Sequence, residues 1–121
     1  ELSSAFTNGH QISITYTNKQ EQAFFENTDV EKHLHIYRIL QELINNSIRH
    51  GKATNIQFTF ELKNHKKVCK YKDNGIGFNL EELKTRKGLG LKNMESRVHF
   101  LNGKFKINSA VGQGVQVIFN F

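Results

Sequence analysis

The sequence predicts an α/β (α+β) two-layer sandwich: a mixed, largely antiparallel sheet covered on one face by helices. Three observations carry this. Segments with alternating apolar residues recur in pairs joined by short turns, which implies antiparallel neighbours. One long segment with helical periodicity lies between the first strand and the second, and another precedes the last two strands. The chain has 121 residues, without proline, repeat or low-complexity linker, so it should form a single domain over 1–121 with one core. This pattern is not that of a doubly wound parallel sheet.

The elements follow in order. "HQISITYT" (His10 to Thr17) alternates through Ile12, Ile14 and Tyr16 and is a strand. After a polar connection, Asn18 to Asn27, "TDVE" offers a capping box, with Thr28 as N-cap and Glu31 three residues on. The helix it opens is expected to run to about His50, with Gly51 as its stop. "TNIQFTFEL" (Thr54 to Leu62) sets Ile56, Phe58, Phe60 and Leu62 on one face of a strand. Asn64 and His65 turn the chain into "KVCKYK" (Lys67 to Lys72), which "DNGIGF" breaks. Asn79 to Lys87 holds a short helical turn at most. A second helix carries Leu91, Met94, Val98 and Leu101 and is closed by Gly103. "KFKINSA", the turn "VGQG" and "VQVIFNF" complete the sheet.

Composition narrows the function. The balance of 37% hydrophobic and 23% charged residues is that of a soluble globular protein, and no apolar run is long enough to span a bilayer. The single cysteine, Cys69, favours a reducing compartment, so a cytoplasmic location is expected. No C-x-x-C or H-E-x-x-H spacing points to zinc. The net charge of +6 suits an anionic partner: nucleic acid, acidic lipid or a phosphorylated small molecule. Lys63, Lys66, Lys67, Lys70 and Lys72 cluster in one segment and read most simply as the solvated face of a hairpin. The chain opens on polar residues without an initiator Met, so it is expected to be one piece of a longer protein. "NNS" fits a glycosylation pattern but falls mid-helix.

Chemistry concentrates in three places. With about 100° per residue and Glu42 at zero, Asn46 lies near 40°, Ile39 near 60°, His50 near 80° and Arg49 near −20°. The core arc on this count runs from about 100° at Leu43 through Ile36, Leu40, Ile44 and Tyr37 to about 240° at Val30 and Ile48. A solvated face does not need asparagine, a mediocre helix former. Asn46 offers a neutral carbonyl oxygen suited to Mg²⁺, and Arg49 and His50 offer donors to phosphate. Asp73 ends a strand before Gly75 and Gly77, which can take positive φ and let a flat ligand approach; an ordinary turn is the simpler reading of D-N-G alone. Gly88 and Gly90 precede a helix whose N-terminal N–H groups suit an anion. Neither G-x-x-x-x-G-K-[ST] nor G-x-G-x-x-G is present.

Taken together, "RILQELINNSIRH" (Arg38 to His50), "DNGIGF" and "KGLGLKNMESRV" resemble the asparagine box and two glycine boxes of the ATP-binding catalytic domain of sensor histidine kinases. That domain belongs to the superfamily shared with the gyrase, Hsp90 and MutL ATPases and has the Bergerat-type fold. The similarity is nearest to kinases that work with LuxR/NarL-type response regulators, and it covers about Ile12 to Phe121. It implies Mg-ATP as ligand and cofactor. It also implies γ-phosphoryl transfer to a histidine on a separate dimerisation domain of a homodimer, and onward transfer to a response-regulator aspartate. Any membrane anchoring would lie in other regions, and no nucleic-acid partner is implied. By position, Asn46 corresponds to the Mg²⁺-binding asparagine and Glu42 to the acidic residue read as a base or orienting group. Arg49 corresponds to the basic position at the phosphates, and His50 flanks the nucleotide. Asp73 corresponds to the aspartate that recognises the adenine amino group. Gly75, Ile76 and Gly77 form the purine turn, and Gly88, Leu89, Gly90 and Leu91 the polyphosphate box. The chain departs from the pattern in placing Val115 where a threonine usually helps hold that aspartate, and in its short lid, Asn79 to Lys87. None of its six histidines fits the phosphoacceptor role. An anti-sigma-factor-type serine kinase of the same superfamily, or a non-catalytic nucleotide-sensing or nucleic-acid-binding module, remain the alternatives.

Overall fold

A computed structural model describes the backbone of residues 2–7, 10–18, 30–79, 81 and 90–121, and the side chains of 30–79, 81 and 90–121. Six strands form one sheet: β1 (Leu2–Thr7), β2 (His10–Asn18), β3 (Asn55–Lys63), β4 (Lys66–Asp73), β5 (Phe105–Ser109) and β6 (Val115–Asn120). Their spatial order is β1-β2-β3-β4-β6-β5. The long helix α1 (Val30–Arg49) connects β2 to β3, and these two pair parallel, the arrangement a helical crossover permits. All other pairs are antiparallel. Helix α2 (Leu91–Phe100) precedes the β5–β6 hairpin. The predicted mixed, largely antiparallel sheet is therefore what forms.

One core joins the layers. Ile36, Ile39 and Leu43 of α1 and Met94 and Val98 of α2 pack with Ile56, Phe60, Cys69, Tyr71, Val117 and Phe119 of the sheet. Strand β3 turns Ile56 and Phe60 fully inward, with Phe58 and Leu62 half-buried beside them. Asn64 and His65 have φ of 52° and 64°, the left-handed pair that a tight two-residue hairpin requires.

Three points need correction. Strand β1 was not foreseen: "LSSAFT" has weak alternation, and it is a strand because β2 offers it a partner edge. The buried stripe of α1 is Ile36, Ile39, Leu43 and Ser47, turned toward Glu42 and Asn46 relative to the expected arc. Ile39 is wholly buried, while Tyr37 and Val30 are exposed, because α2 packs beside that flank and claims it for the core. Gly51 and Gly103 do not supply the left-handed stops. Lys52 and Asn102 do, at φ 52° and 59°. A Cβ at Gly103 would collide with the Asn120 carbonyl, so close approach is what that glycine provides. The expected cap at Thr28, most of the Asn18 to Asn27 connection and most of Asn79 to Lys87 lie outside the described residues.

Candidate functional site

Strand β4 delivers Asp73 to the mouth of the fold, where its side chain is 3% exposed. Burying a carboxylate is costly unless its oxygens are bonded, and here three donors reach it. Oδ1 accepts the Gly75 N–H at 2.8 Å and the Val115 N–H at 3.2 Å, and Oδ2 accepts the Ser47 hydroxyl at 2.5 Å. The Ser47 oxygen also stands 2.6 Å from the Tyr71 hydroxyl. Ser47 has one proton and gives it to Asp73, so Tyr71 is the donor in that second bond. Burial pushes the Tyr71 phenol well above its ordinary range. The charge of Asp73 adds to the rise.

The glycine loop after Asp73 is fastened on two sides. The Ile76 N–H donates to the Gly51 carbonyl at 2.8 Å, and the Ile76 carbonyl accepts the Gly112 N–H at 2.6 Å. A Cβ at Gly75 would stand 2.5 Å from the Gly51 oxygen, so this glycine serves backbone contact rather than positive φ. Gly77 does take φ 70°, beside the Ala110 carbonyl. The Ser109 hydroxyl donates to the Gly114 carbonyl at 2.7 Å and accepts the Phe78 N–H at 2.8 Å. Asn74 holds the backbone in place. Its Oδ1 accepts the N–H groups of Thr54 and Asn55 at 3.0 and 2.9 Å, which clamps the start of β3.

Asn46, Ser47, Asp73, Val115 and Leu91 open into one cleft whose other walls are mainly apolar. Its free volume is about 20 Å³, room for roughly one water. A second cleft of about 130 Å³ lies between the helices and holds Arg38, Gln41, Glu42, Asn93 and Arg97. Gly90 begins α2 at φ 68° with no side-chain cap on the helix. Any side chain there would run into the Glu42 carboxylate.

The structure thus brings Asn46, Asp73 and Leu91 together and sets Glu42 against Gly90. Gly75 lines a third, polar cleft on the other side of the Asp73 strand end, together with Lys72 and Gln113. Arg49, His50 and Ile76 are exposed and line none of these three clefts. Gly88 and Leu89 lie outside the described residues. Among the described residues no cluster of three His, Cys, Asp or Glu side chains could cage a metal. Asn46, with an amide oxygen, and Glu42, with a carboxylate one turn earlier, carry the oxygen donor types that Mg²⁺ takes, but they line different clefts. Sequence reasoning missed Ser47 and Tyr71. The signal for Ser47 was its angle of about 140° on the same count, a polar residue inside the apolar arc.

Known proteins resemble this chain in sequence and in fold. The family model described as "Histidine kinase-, DNA gyrase B-, and HSP90-like ATPase" matches residues 31–121. The sensor histidine kinase ComP of Bacillus subtilis is 32% identical over 92 residues, 75% of this chain and 12% of ComP. The sensor protein VraS of Staphylococcus saprophyticus is 38% identical over 85 residues, 69% of this chain and 24% of VraS. This chain therefore spans a quarter or less of these relatives. The histidine kinase domain of a blue-light activated histidine kinase from Erythrobacter litoralis has the same fold. It superposes with a TM-score of 0.71 at 16% identity, over 89% of this chain and 54% of that one.

Proposed function

Because this chain belongs to the histidine kinase-, DNA gyrase B- and HSP90-like ATPase family and is an ATPase domain of the histidine kinase type, we propose that it binds Mg-ATP within a longer sensor kinase. There it transfers the γ-phosphoryl group to a histidine on a separate dimerisation domain. A response-regulator aspartate receives the phosphoryl group next. The working protein is a homodimer whose catalytic domain faces the cytoplasm. The observation that carries the reading is the convergence of Asp73, Asn46 and the start of α2 on one cleft.

In this reading the 6-amino group of adenine donates to Asp73, beside Gly75, Ile76 and Gly77. The phosphates run toward Gly88, Leu89, Gly90 and Leu91, where the N–H groups of the first turn of α2 favour negative charge. Asn46 would hold Mg²⁺, which supplies charge neutralisation at the phosphates when bound. Arg49 and His50, exposed at the C-terminal end of α1, would offer donors to the phosphates. Glu42 orients the acceptor imidazole, and its cleft, flanked by Arg38 and Arg97, gives that ring an approach.

The test is titration of the domain with a non-hydrolysable ATP analogue, with and without Mg²⁺, read by thermal shift. Magnesium-dependent stabilisation is expected, about 2.7 kcal/mol at a hundredfold excess over Kd. Replacing Asn46 by Ala should remove most of the magnesium increment while sparing metal-free binding. Stabilisation that ignores Mg²⁺, or none at all, would refute the reading.

A further inference from the structure

We propose that Ser47, backed by Tyr71, is a positioning residue that makes the base pocket select a 6-amino over a 6-oxo purine. This rests on the nucleotide reading above and deepens it. A carboxylate offers about four lone-pair sites. Protein donors occupy three of them on Asp73: two on Oδ1, from Gly75 and Val115, and one on Oδ2, from Ser47. The one site left is on Oδ2, and Ser47 decides where it points.

The proton count sets the polarity of this wall. The Tyr71 proton goes to Ser47 and the Ser47 proton to Asp73, so both hydroxyls have spent their donors. Ser47 and Tyr71 are both buried, at 3% and 2% exposure, so water cannot readily reverse the chain. What remains toward a ligand is acceptor capacity, on Asp73 Oδ2 and on Ser47 Oγ. An exocyclic amine satisfies such a wall. A 6-oxo group meets it acceptor to acceptor, and the mismatch leaves buried polar groups unpaired.

The two donors from opposite walls differ in kind. Val115 provides only its backbone N–H to Asp73, from the β6 side. The hydroxyl comes from the opposite wall, on α1, one residue after Asn46. The residue that orients Asp73 and the proposed metal ligand are therefore consecutive residues of one helix.

Calorimetric binding of ATP and inosine triphosphate, which differ at the purine 6-position and N1, tests the assignment. Wild type should favour ATP by roughly 100-fold or more. S47A should lower that ratio about 10-fold, and Y71F by about 3-fold, because the serine proton is then less firmly directed. S47A/V115T should recover most of the ratio. Threonine matches valine in shape and puts a hydroxyl on the residue whose N–H already reaches Asp73. Equal losses of ATP and inosine triphosphate in S47A would reduce Ser47 to a packing role and overturn the assignment. So would an unchanged ratio in Y71F should S47A fail to fold. Wild type that takes ATP and inosine triphosphate equally would overturn it as well. Wild type that takes no ATP would refute the nucleotide reading itself, and this assignment with it.

Discussion

At the Asp73 end of the site a buried carboxylate takes three protein hydrogen bonds, and the loop beyond it is tied to α1 on one side and to the β5–β6 turn on the other. At the opposite end Glu42 lies half-buried in an inter-helix cleft, bounded by two arginines and fitted against a residue without a side chain. One end is completed by the protein. The other is shaped by charge and close approach, and a ligand with its own charge would complete it. The difference suits a molecule whose base must be identified but whose phosphate must leave.

The largest effect should come from Glu42→Gln in the full-length kinase. Phosphoryl transfer to the acceptor histidine should slow at least about 100-fold, with ATP affinity within roughly 3-fold of wild type. A rapid-quench assay separates the two, and a matching loss of affinity would place Glu42 in binding instead. Asp73→Asn should cost ATP affinity about 100-fold, since an amide cannot accept from all three donors and still receive an amine. Wild-type affinity in that variant would mean the base is not read there.

A smaller effect distinguishes fit from backbone freedom. Gly90 and Gly112 both have positive φ, 68° and 82°, yet a Cβ at Gly112 meets nothing within 4 Å. Gly112→Ala should cost only the left-handed penalty, about 1 kcal/mol. Gly90→Ala should cost about 1 kcal/mol more and displace Glu42, visible as slowed transfer; equal melting points would remove the contact from the account. The smallest effect at neutral pH becomes visible only in alkali. Burial raises the folded-state pKa of both Tyr71 and Cys69. Their contribution is intact below the unfolded values and is lost as pH rises past them. Stability should fall above about pH 9–10, by about 1.4 kcal/mol per pH unit for each group. Tyr71→Phe should flatten that slope, as urea melts at pH 8 and 11 would show.

Much of this was legible in the sequence because it rests on local rules. Strand alternation, the Asn64-His65 hairpin and the three motif segments need no knowledge of distant neighbours. What escaped depended on tertiary partners. Leu2–Thr7 becomes a strand through the β2 edge, and the buried stripe of α1 turns toward Ile39 because α2 lies there. The glycine roles escaped for a related reason. Gly75 looked like a positive-φ turn, but it is small because its backbone meets that of Gly51. Ser47 was passed over because a serine inside an apolar arc is informative only once Tyr71 and Asp73 are known to face it.

That backbone meeting has a mechanical consequence. The Ile76 N–H on the Gly51 carbonyl joins the end of α1, which carries Asn46 and Ser47, to the loop that follows Asp73. The junction contains no side chain to repack, so the spacing between Asn46 and Asp73 works as a fixed caliper. Substitutions in the core can loosen the domain without resetting that gauge, whereas a single methyl group at position 75 would spread its jaws.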